Sequence, residues 1–199
     1  RTWAFYTILK SHLLFDRIPW KDIMLGTYVL DSKGKGMHKS KGNAIWADEL
    51  IDKYGVDAFR YWVGGASIGS DLPFKEQELV AGQKFLTKLM NASKFVFMNL
   101  KGWDGKRPKK LEEDDQEFLG KLNLIISRCT KLFNDYEYAH AKQEIEHFFW
   151  SDFCDYYLES VKQTIYQKGE EEKSSVFYTL YRSLLAVLKL MAPFIPFIT

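Results

Sequence analysis

The sequence is short of cysteine and lacks any long hydrophobic run, and these two shortages exclude several classes of protein. Cys129 and Cys154 are the only cysteines among the 199 residues. Their number and spacing fit neither a disulfide framework nor a zinc site, so we interpret both as buried thiols in a reducing compartment. No stretch approaches the ~20 apolar residues that span a bilayer. We therefore expect a cytoplasmic protein that has no membrane partner.

A dominant charge is also missing, because 28 basic side chains are balanced by 26 acidic ones. The resulting net charge of +2 gives no global field that would attract nucleic acid, so any such attraction must come from a local patch. The aromatic content of 16% is typical of a folded chain and argues against disorder. Because the chain starts with RTWAFYTILK and has no initiator Met, we expect it to be a piece of a longer protein.

One basic patch lies between residues 33 and 43, where KGKGMHKSKGN combines four lysines with three glycines. Lysines bring charge to phosphate oxygens, and glycines let the backbone approach a ligand. A solvated basic loop is the commoner outcome for such a run taken alone. However, the segment Ile23 to Leu30 is the best strand candidate, and ligands of α/β sheets bind beyond strand ends. We expect the partner strands to lie outside this chain.

The remainder of the sequence is predicted to be helical. Residues 1–14 fit a mostly buried helix, and two short helices are predicted at 48–54 and 57–63. Beyond Lys75, apolar residues recur at helical spacing in four stripes: Leu86 to Leu100, Phe118 to Tyr136, Ile145 to Ile165 and Phe177 to Met191. Four long amphipathic helices with polar connectors predict an antiparallel bundle. His140 and His147 share a helix face without further ligands nearby, so we expect no metal site.

Taken in order, these segments resemble the class I aminoacyl-tRNA synthetases. The residues GMHKSKGN, from Gly36 to Asn43, are similar to the KMSKS signature of that family, and DELIDKYGVDAFRYWV is similar to the segment that follows it. GSDLPF, GQKFLTKLMNASKFVFMNL, FFWSDFCDYYLESVK and MAPFIPFIT resemble the valyl branch, in an archaeal or related type, more than the isoleucyl or leucyl branches. The chain departs from the signature at Gly36 and His38, which replace a lysine and a serine.

The resemblance implies a fold and a division of the chain. Residues 1–43 would be the last helix, strand and loop of a Rossmann-like class I catalytic domain. Residues 44–74 would be a connector similar to the family's stem-contact region, and residues 75–199 a helical anticodon-binding domain. The fold class is then mainly α, with a four-helix-type antiparallel bundle preceded by the catalytic remnant.

The resemblance also implies the chemistry of the parent protein. Valine would attack the α-phosphorus of ATP, which is bound with Mg²⁺, and the aminoacyl group would then pass to tRNA(Val). Lys39 would be the catalytic residue, because a cation there offsets the charge that builds on the departing pyrophosphate. Gly36, Met37, His38 and Ser40 would complete the nucleotide contacts. The parent would be a monomer, whereas this piece alone would be inactive and bind no cofactor.

The resemblance also implies that the chain binds tRNA. The basic side chains that we predict to contact tRNA phosphates are those of Arg60, Lys84, Lys88, Lys94 and Arg128. A solvated surface is the commoner role for such charges. Three alternatives stay open at this point: an isoleucyl enzyme, a non-catalytic tRNA-binding paralogue and a purely structural helical bundle. The last of these leaves the strand and the glycine-lysine loop unexplained.

Overall fold

A computed structural model describes residues 2–199, including every side chain in that range except those of residues 170 and 171. It is 65% helical. The α-helices are α1 (Thr2–Phe15), α2 (Ala47–Tyr54), α3 (Val56–Val63), α4 (Glu76–Asn99), α5 (Glu113–Asn134), α6 (Tyr138–His147), α7 (Leu158–Ser160), α8 (Lys162–Gln167) and α9 (Glu170–Met191). The two strands, β1 (Val29–Leu30) and β2 (Leu72–Pro73), are each two residues long. None of the helices in residues 2–199 is long and apolar enough to cross a membrane.

The long helices enclose one large hydrophobic core. Helix α4 packs on α3 and α9, and α5 packs on α6 and α9. Phe85 and Leu89 of α4, Phe118 of α5 and Leu184 of α9 are all buried in this core. Burying a side chain of this size contributes about 1.5–3 kcal/mol relative to leaving it exposed. The prediction of a mainly helical chain with these apolar stripes in its core is therefore confirmed.

The third apolar stripe does not form one α-helix as we predicted, because Phe148–Tyr157 is a π-helix. Its apolar residues recur strictly every fourth position, which drifts by about 40° a step around an α-helix of 3.6 residues per turn. A π-helical stretch holds more residues in each turn, so these positions drift in the opposite direction and are brought back towards the same side. Phe149, Phe153 and Tyr157 are consequently all buried, and the ring of Tyr157 stacks 4.1 Å from that of Phe118.

Strands β1 and β2 pair in parallel, and our sequence prediction of the length of β1 is wrong. The strand predicted at 23–30 is formed by its last two residues only, and one of its partners lies inside this chain. The N–H groups of Leu72 and Phe74 donate to the carbonyls of Tyr28 and Leu30, at 2.9 Å in both cases. The pairing joins the segment before the glycine-lysine loop to the residues that precede α4.

Helix α1 forms where we predicted a helix, but the prediction that it is mostly buried is wrong for this chain. None of its described residues is buried, and Leu13 is 73% exposed. The rings of Trp3 and Trp20 stack with their centroids 5.6 Å apart. An apolar pattern predicts that a helix will be buried where a partner exists, but it does not say which chain segment supplies that partner.

Helix α3 is bonded to the residues that follow α9. The carboxylate of Asp57 accepts the N–H of Ile198 at 2.9 Å. The guanidinium of Arg60 donates to the carbonyls of Phe194 at 3.1 Å and Pro193 at 2.8 Å. These contacts, together with the packing of α3 on α4, fix the segment after the loop to the helical core.

Candidate functional site

The glycine-lysine loop, residues 33–43, is separated from β1 by Asp31 and Ser32, and it is organised by the buried carboxylate of Asp31. Asp31 accepts the backbone N–H of Lys33 at 2.9 Å and that of Lys35 at 2.8 Å, both on Oδ1. Its Oδ2 accepts the Nδ2–H of Asn43 at 2.8 Å. The two ends of the loop are therefore held together by one side chain.

Asn43 completes this closure from the other end of the loop. Besides its bond to Asp31, its Nδ2 donates to the carbonyl of Gly36 at 3.2 Å, and its Oδ1 accepts the N–H of His38 at 2.9 Å. The amide of Asn43 and the backbone N–H of Lys35 hold the pKa of Asp31 below its usual range, since hydrogen bonds to a carboxylate favour the charged form. The loop thus encloses an ionised carboxylate at its base and presents cations outside.

Lys39 lies in a short 3₁₀ turn, Lys39–Lys41, at the exposed side of the loop. Gly42 ends the turn with a left-handed φ of 65°, a conformation that favours glycine. The Lys39 Nζ lies 4.7 Å from the ring centroid of Trp46. Within residues 2–199, the four lysines of the loop form no salt bridge. Their charge is consequently available to an anionic ligand.

The other predicted nucleotide contacts are neighbours of Lys39 on the same loop. His38 and Ser40 are exposed, whereas Gly36 and Met37 are half-buried. A Cβ added to Gly36 would lie 3.4 Å from the Tyr28 hydroxyl, an ordinary contact distance, and the backbone there does not require glycine. A Cβ would therefore fit at this position without moving the backbone.

The predicted tRNA contacts do not form a single group of free cations. Arg60 is engaged by the carbonyls after α9, Arg128 pairs with Glu144 at 2.8 Å, and Lys88 lies 4.0 Å from Asp155. Lys84 and Lys94 are exposed on α4, and neither forms an ion pair with the part of the chain that the structure describes. Sequence reasoning missed the structural role of Arg60 because its acceptors lie 133 and 134 residues away.

Sequence reasoning also missed the bracing roles of Asp31 and Asn43 and the contact made by Trp46. The sequence does contain a signal for these two roles: an aspartate follows the predicted strand, and an asparagine follows a glycine. Asp and Asn at such positions are typical of turns, where their side chains accept backbone N–H groups. As for metals, residues 2–199 contain no group of three or more His, Cys, Asp or Glu side chains arranged to hold an ion. The side chains that suit a phosphate ligand are the lysines.

Two family models match the sequence. The model described as tRNA synthetases class I (I, L, M and V) matches residues 1–75, and the model described as anticodon-binding domain of tRNA ligase matches residues 115–199. Among curated proteins, the chain is 42% identical to the valine–tRNA ligase of Ehrlichia ruminantium (strain Welgevonden) and 41% identical to that of Orientia tsutsugamushi (strain Boryong). Each alignment covers 100% of this chain and 25% of the relative. The chain therefore spans about a quarter of the length of these relatives. The similarity to an archaeal type, which we inferred from the sequence, stays a prediction.

Solved structures of low sequence identity share the fold. One is a ternary complex of Agrobacterium radiobacter K84 agnB2 LeuRS with tRNA and LeuAMS, with a TM-score of 0.70, 21% identity, and coverage of 98% of this chain and 24% of that one. Another is the Mycobacterium tuberculosis methionyl-tRNA synthetase in complex with methionyl-adenylate, with a TM-score of 0.68, 20% identity, and coverage of 84% and 35%.

Proposed function

The chain belongs to the class I tRNA synthetases, and we propose that it is the C-terminal part of a valine–tRNA ligase. The observation that carries this proposal is the alignment of all 199 residues with ligases named for valine. The complete protein would activate valine with ATP and transfer it to tRNA(Val). An isoleucine enzyme is not favoured, because the relatives quoted above are named for valine.

The glycine-lysine loop would bind the triphosphate of ATP in this protein. Lys39 would place its ammonium against the phosphate oxygens, and Ser40 and the backbone of residues 36–38 would add hydrogen bonds. The exposure of the loop, its lack of salt bridges within the described residues and its glycines all fit a phosphate ligand. The described residues offer no carboxylate cluster for Mg²⁺, so the ion would enter with ATP. Bound ATP supplies the phosphorus that the valine carboxylate attacks.

Lys39 would act on the rate through charge. Negative charge accumulates on pyrophosphate as it departs, and a cation that meets it most closely in the transition state lowers the barrier. The brace formed by Asp31 and Asn43 would keep the rest of the loop in shape while the lysines move. Such a loop can close over its ligand and reopen for product release.

The helical part would bind tRNA. The match of residues 115–199 to an anticodon-binding model supports this role. We propose a catalytic remnant at 1–43, a connector at 44–74 and a four-helix-type antiparallel anticodon-binding domain at 75–199, in a monomeric cytoplasmic enzyme. Lys84 and Lys94 remain candidates for tRNA phosphates because they are exposed, whereas Arg60, Lys88 and Arg128 would have to leave intramolecular partners.

Pyrophosphate exchange in the complete protein tests the proposal. We expect exchange that depends on valine and falls about 10²–10³-fold in Lys39→Ala, the usual loss for one charge-assisted contact to a transition state. Lys33→Ala is the matched control on the same loop and should retain most of the activity. Exchange with isoleucine alone would identify a sister enzyme, and no exchange with either amino acid would favour the non-catalytic paralogue.

A further inference from the structure

Trp46 occupies a position where neither helix capping nor burial accounts for it. It is the N-cap residue of α2, with φ of −93° and ψ of 131°, and its side chain makes no capping hydrogen bond. Ser, Thr, Asp and Asn are preferred at this position because their side chains accept a free N–H of the first turn. The Trp46 side chain is also 48% exposed, so it contributes little to the core. Residues that break a local rule without a packing gain are often functional.

The described partner of the Trp46 ring is the ammonium of Lys39. The Nζ lies 4.7 Å from the ring centroid, within the ~6 Å that allows attraction between a cation and an aromatic face. Trp46 is the sole aromatic residue in the sequence from 31 to 47. Trp also binds cations more strongly than Tyr or Phe does.

The ring belongs to an anchored element, whereas the lysine belongs to an exposed turn. At the other end of α2, Tyr54 donates its hydroxyl to Glu76 of α4, and Lys53 bonds the same carboxylate at 2.6 Å. Gly42, with its left-handed backbone, lies between the turn and α2. Trp46 therefore begins a helix whose far end is anchored, and the side chain of Lys39 is the more flexible partner.

We propose that Trp46 is a positioning residue for Lys39. Its ring holds the ammonium at one place above the loop before the triphosphate arrives, which restricts a side chain with four rotatable bonds. Lys39 then loses less rotamer entropy when it binds the phosphates, and this favours the arrangement in which the ammonium contacts the departing pyrophosphate. The inference rests on the proposed function of Lys39, and it assigns a role to a residue outside the signature itself.

A double-mutant cycle in the complete protein tests the proposal, using valine-dependent pyrophosphate exchange. Trp46→Leu keeps apolar bulk but removes the aromatic face, and Trp46→Phe keeps a face. We expect Trp46→Leu to lower kcat about two- to fivefold, the factor that an exposed cation–aromatic contact supplies, without changing the KM for valine. Trp46→Phe should restore most of that loss. In the Lys39→Ala background, Trp46→Leu should cause no further loss.

Each contrary result has a distinct meaning. If Trp46→Leu has no effect, or lowers kcat by the same factor with and without Lys39, the ring does not act through the lysine and the inference fails. Failure of Trp46→Phe to restore activity would overturn it as well. If Lys39→Ala itself leaves exchange unchanged, the proposed function of the loop fails first and the inference falls with it.

Discussion

At the scale of single residues, Asn43 links three separate parts of the loop through one amide group. Its partners are the carboxylate of Asp31, the carbonyl of Gly36 and the N–H of His38. A change at Asn43 should therefore act on loop order before it acts on any ligand contact. This separates the shape of the loop from its charge, which depends on the lysines.

Asn43→Ala should loosen the loop while leaving the helical core intact. The N–H of His38 loses its acceptor, and a net hydrogen bond of about 1 kcal/mol corresponds to roughly fivefold faster amide exchange there. Hydrogen exchange followed by mass spectrometry measures this rate. Asn99→Ala is a suitable control, because it removes one side-chain hydrogen bond inside α4. Equal exchange at His38 in wild type and Asn43→Ala would contradict the bracing role.

The carboxylate of Asp31 should give the loop a defined pH dependence. The pKa of Asp31 is lowered, chiefly by Asn43 and then by the Lys35 N–H. Its contribution to stability is therefore complete above the unfolded-state value of about 3.9 and is lost as pH falls through the lower folded pKa. Urea unfolding of wild type and Asp31→Asn should differ by a constant amount from pH 5 to 8, and by less below pH 4. A difference that changes near neutral pH would contradict this assignment.

The lysines of the candidate site could be found from the sequence, whereas the residues that give the loop its shape could not. Lys39 stands out because basic residues and glycines together suggest phosphate binding. Asp31 and Trp46 do not stand out, since a lone aspartate or tryptophan has many roles and the partner of each is fixed by the turns between them. The sequence predicts a tRNA contact for Arg60 because nothing near it in the sequence indicates that its acceptors are the carbonyls of Pro193 and Phe194.

At the scale of elements, the π-helix Phe148–Tyr157 divides sharply into buried and exposed positions. Phe153 is fully buried, and Tyr156 is 67% exposed. We expect Phe153→Ala to lower the free energy of unfolding by about 3–5 kcal/mol, the usual cost of a large cavity. Tyr156→Ala, on the same element, should change it by less than about 0.5 kcal/mol. Urea unfolding of the two variants measures both, and similar losses would argue against this orientation of the helix.

Helix α6 carries an ion pair between the buried Lys142 and the half-buried Glu146, and this pair faces α3. The Nζ of Lys142 lies 3.1 Å from Glu146 and 3.5 Å above the ring centroid of Tyr61. Burial lowers the pKa of Lys142 to about 8, with Glu78 of α4 acting in the opposite direction, and raises the pKa of Glu146 to about 7. Both shifts disfavour the charged forms, so the pair reduces stability near neutral pH.

The stability of wild type relative to Lys142→Met/Glu146→Leu should therefore pass through a minimum between about pH 7 and 8. A raised carboxyl pKa removes stability as pH rises from 4.5 to about 7, and a lowered lysine pKa restores it from about 8 to 10.5. Each limb amounts to about 3 kcal/mol at most. Urea unfolding at pH 5, 7.5 and 10 gives the three points. A flat difference would mean that the pair titrates normally.

The helices were predictable because their apolar residues repeat with the period of the backbone, as in α4 and α9. Strand pairing was not predictable, because each strand has two residues and β2 lies in a stretch rich in turn residues. Two-residue strands have no alternation of apolar and polar residues that could be recognised in a sequence. Their pairing depends on the path of the chain between them, which runs through α2 and α3. The π-helix escaped prediction because its apolar spacing of four is close to the α-helical period.

At the scale of the whole molecule, the 199-residue chain exposes apolar side chains along α1. Leu13 and Leu14 are 73% and 71% exposed, next to the equally accessible Phe15. Contiguous exposed apolar surface favours association in water. We expect the isolated chain to self-associate with rising concentration, and Leu13→Glu/Leu14→Glu to reduce this. Analytical ultracentrifugation measures the change, and Leu124→Glu, which alters a single exposed leucine on α5, should have a smaller effect.

The bond between Asp57 and the N–H of Ile198 also has a consequence in time, since its partners are 141 residues apart. A ribosome adds about 5–20 residues per second, so α3 would wait roughly 7–28 s after its own synthesis for this partner. During that interval Asp57 and Arg60 would face water, because the N–H donor of Asp57 and the carbonyl acceptors of Arg60 would not yet have been synthesised. The segment after the loop would thus be completed by the last residues of this chain to be translated.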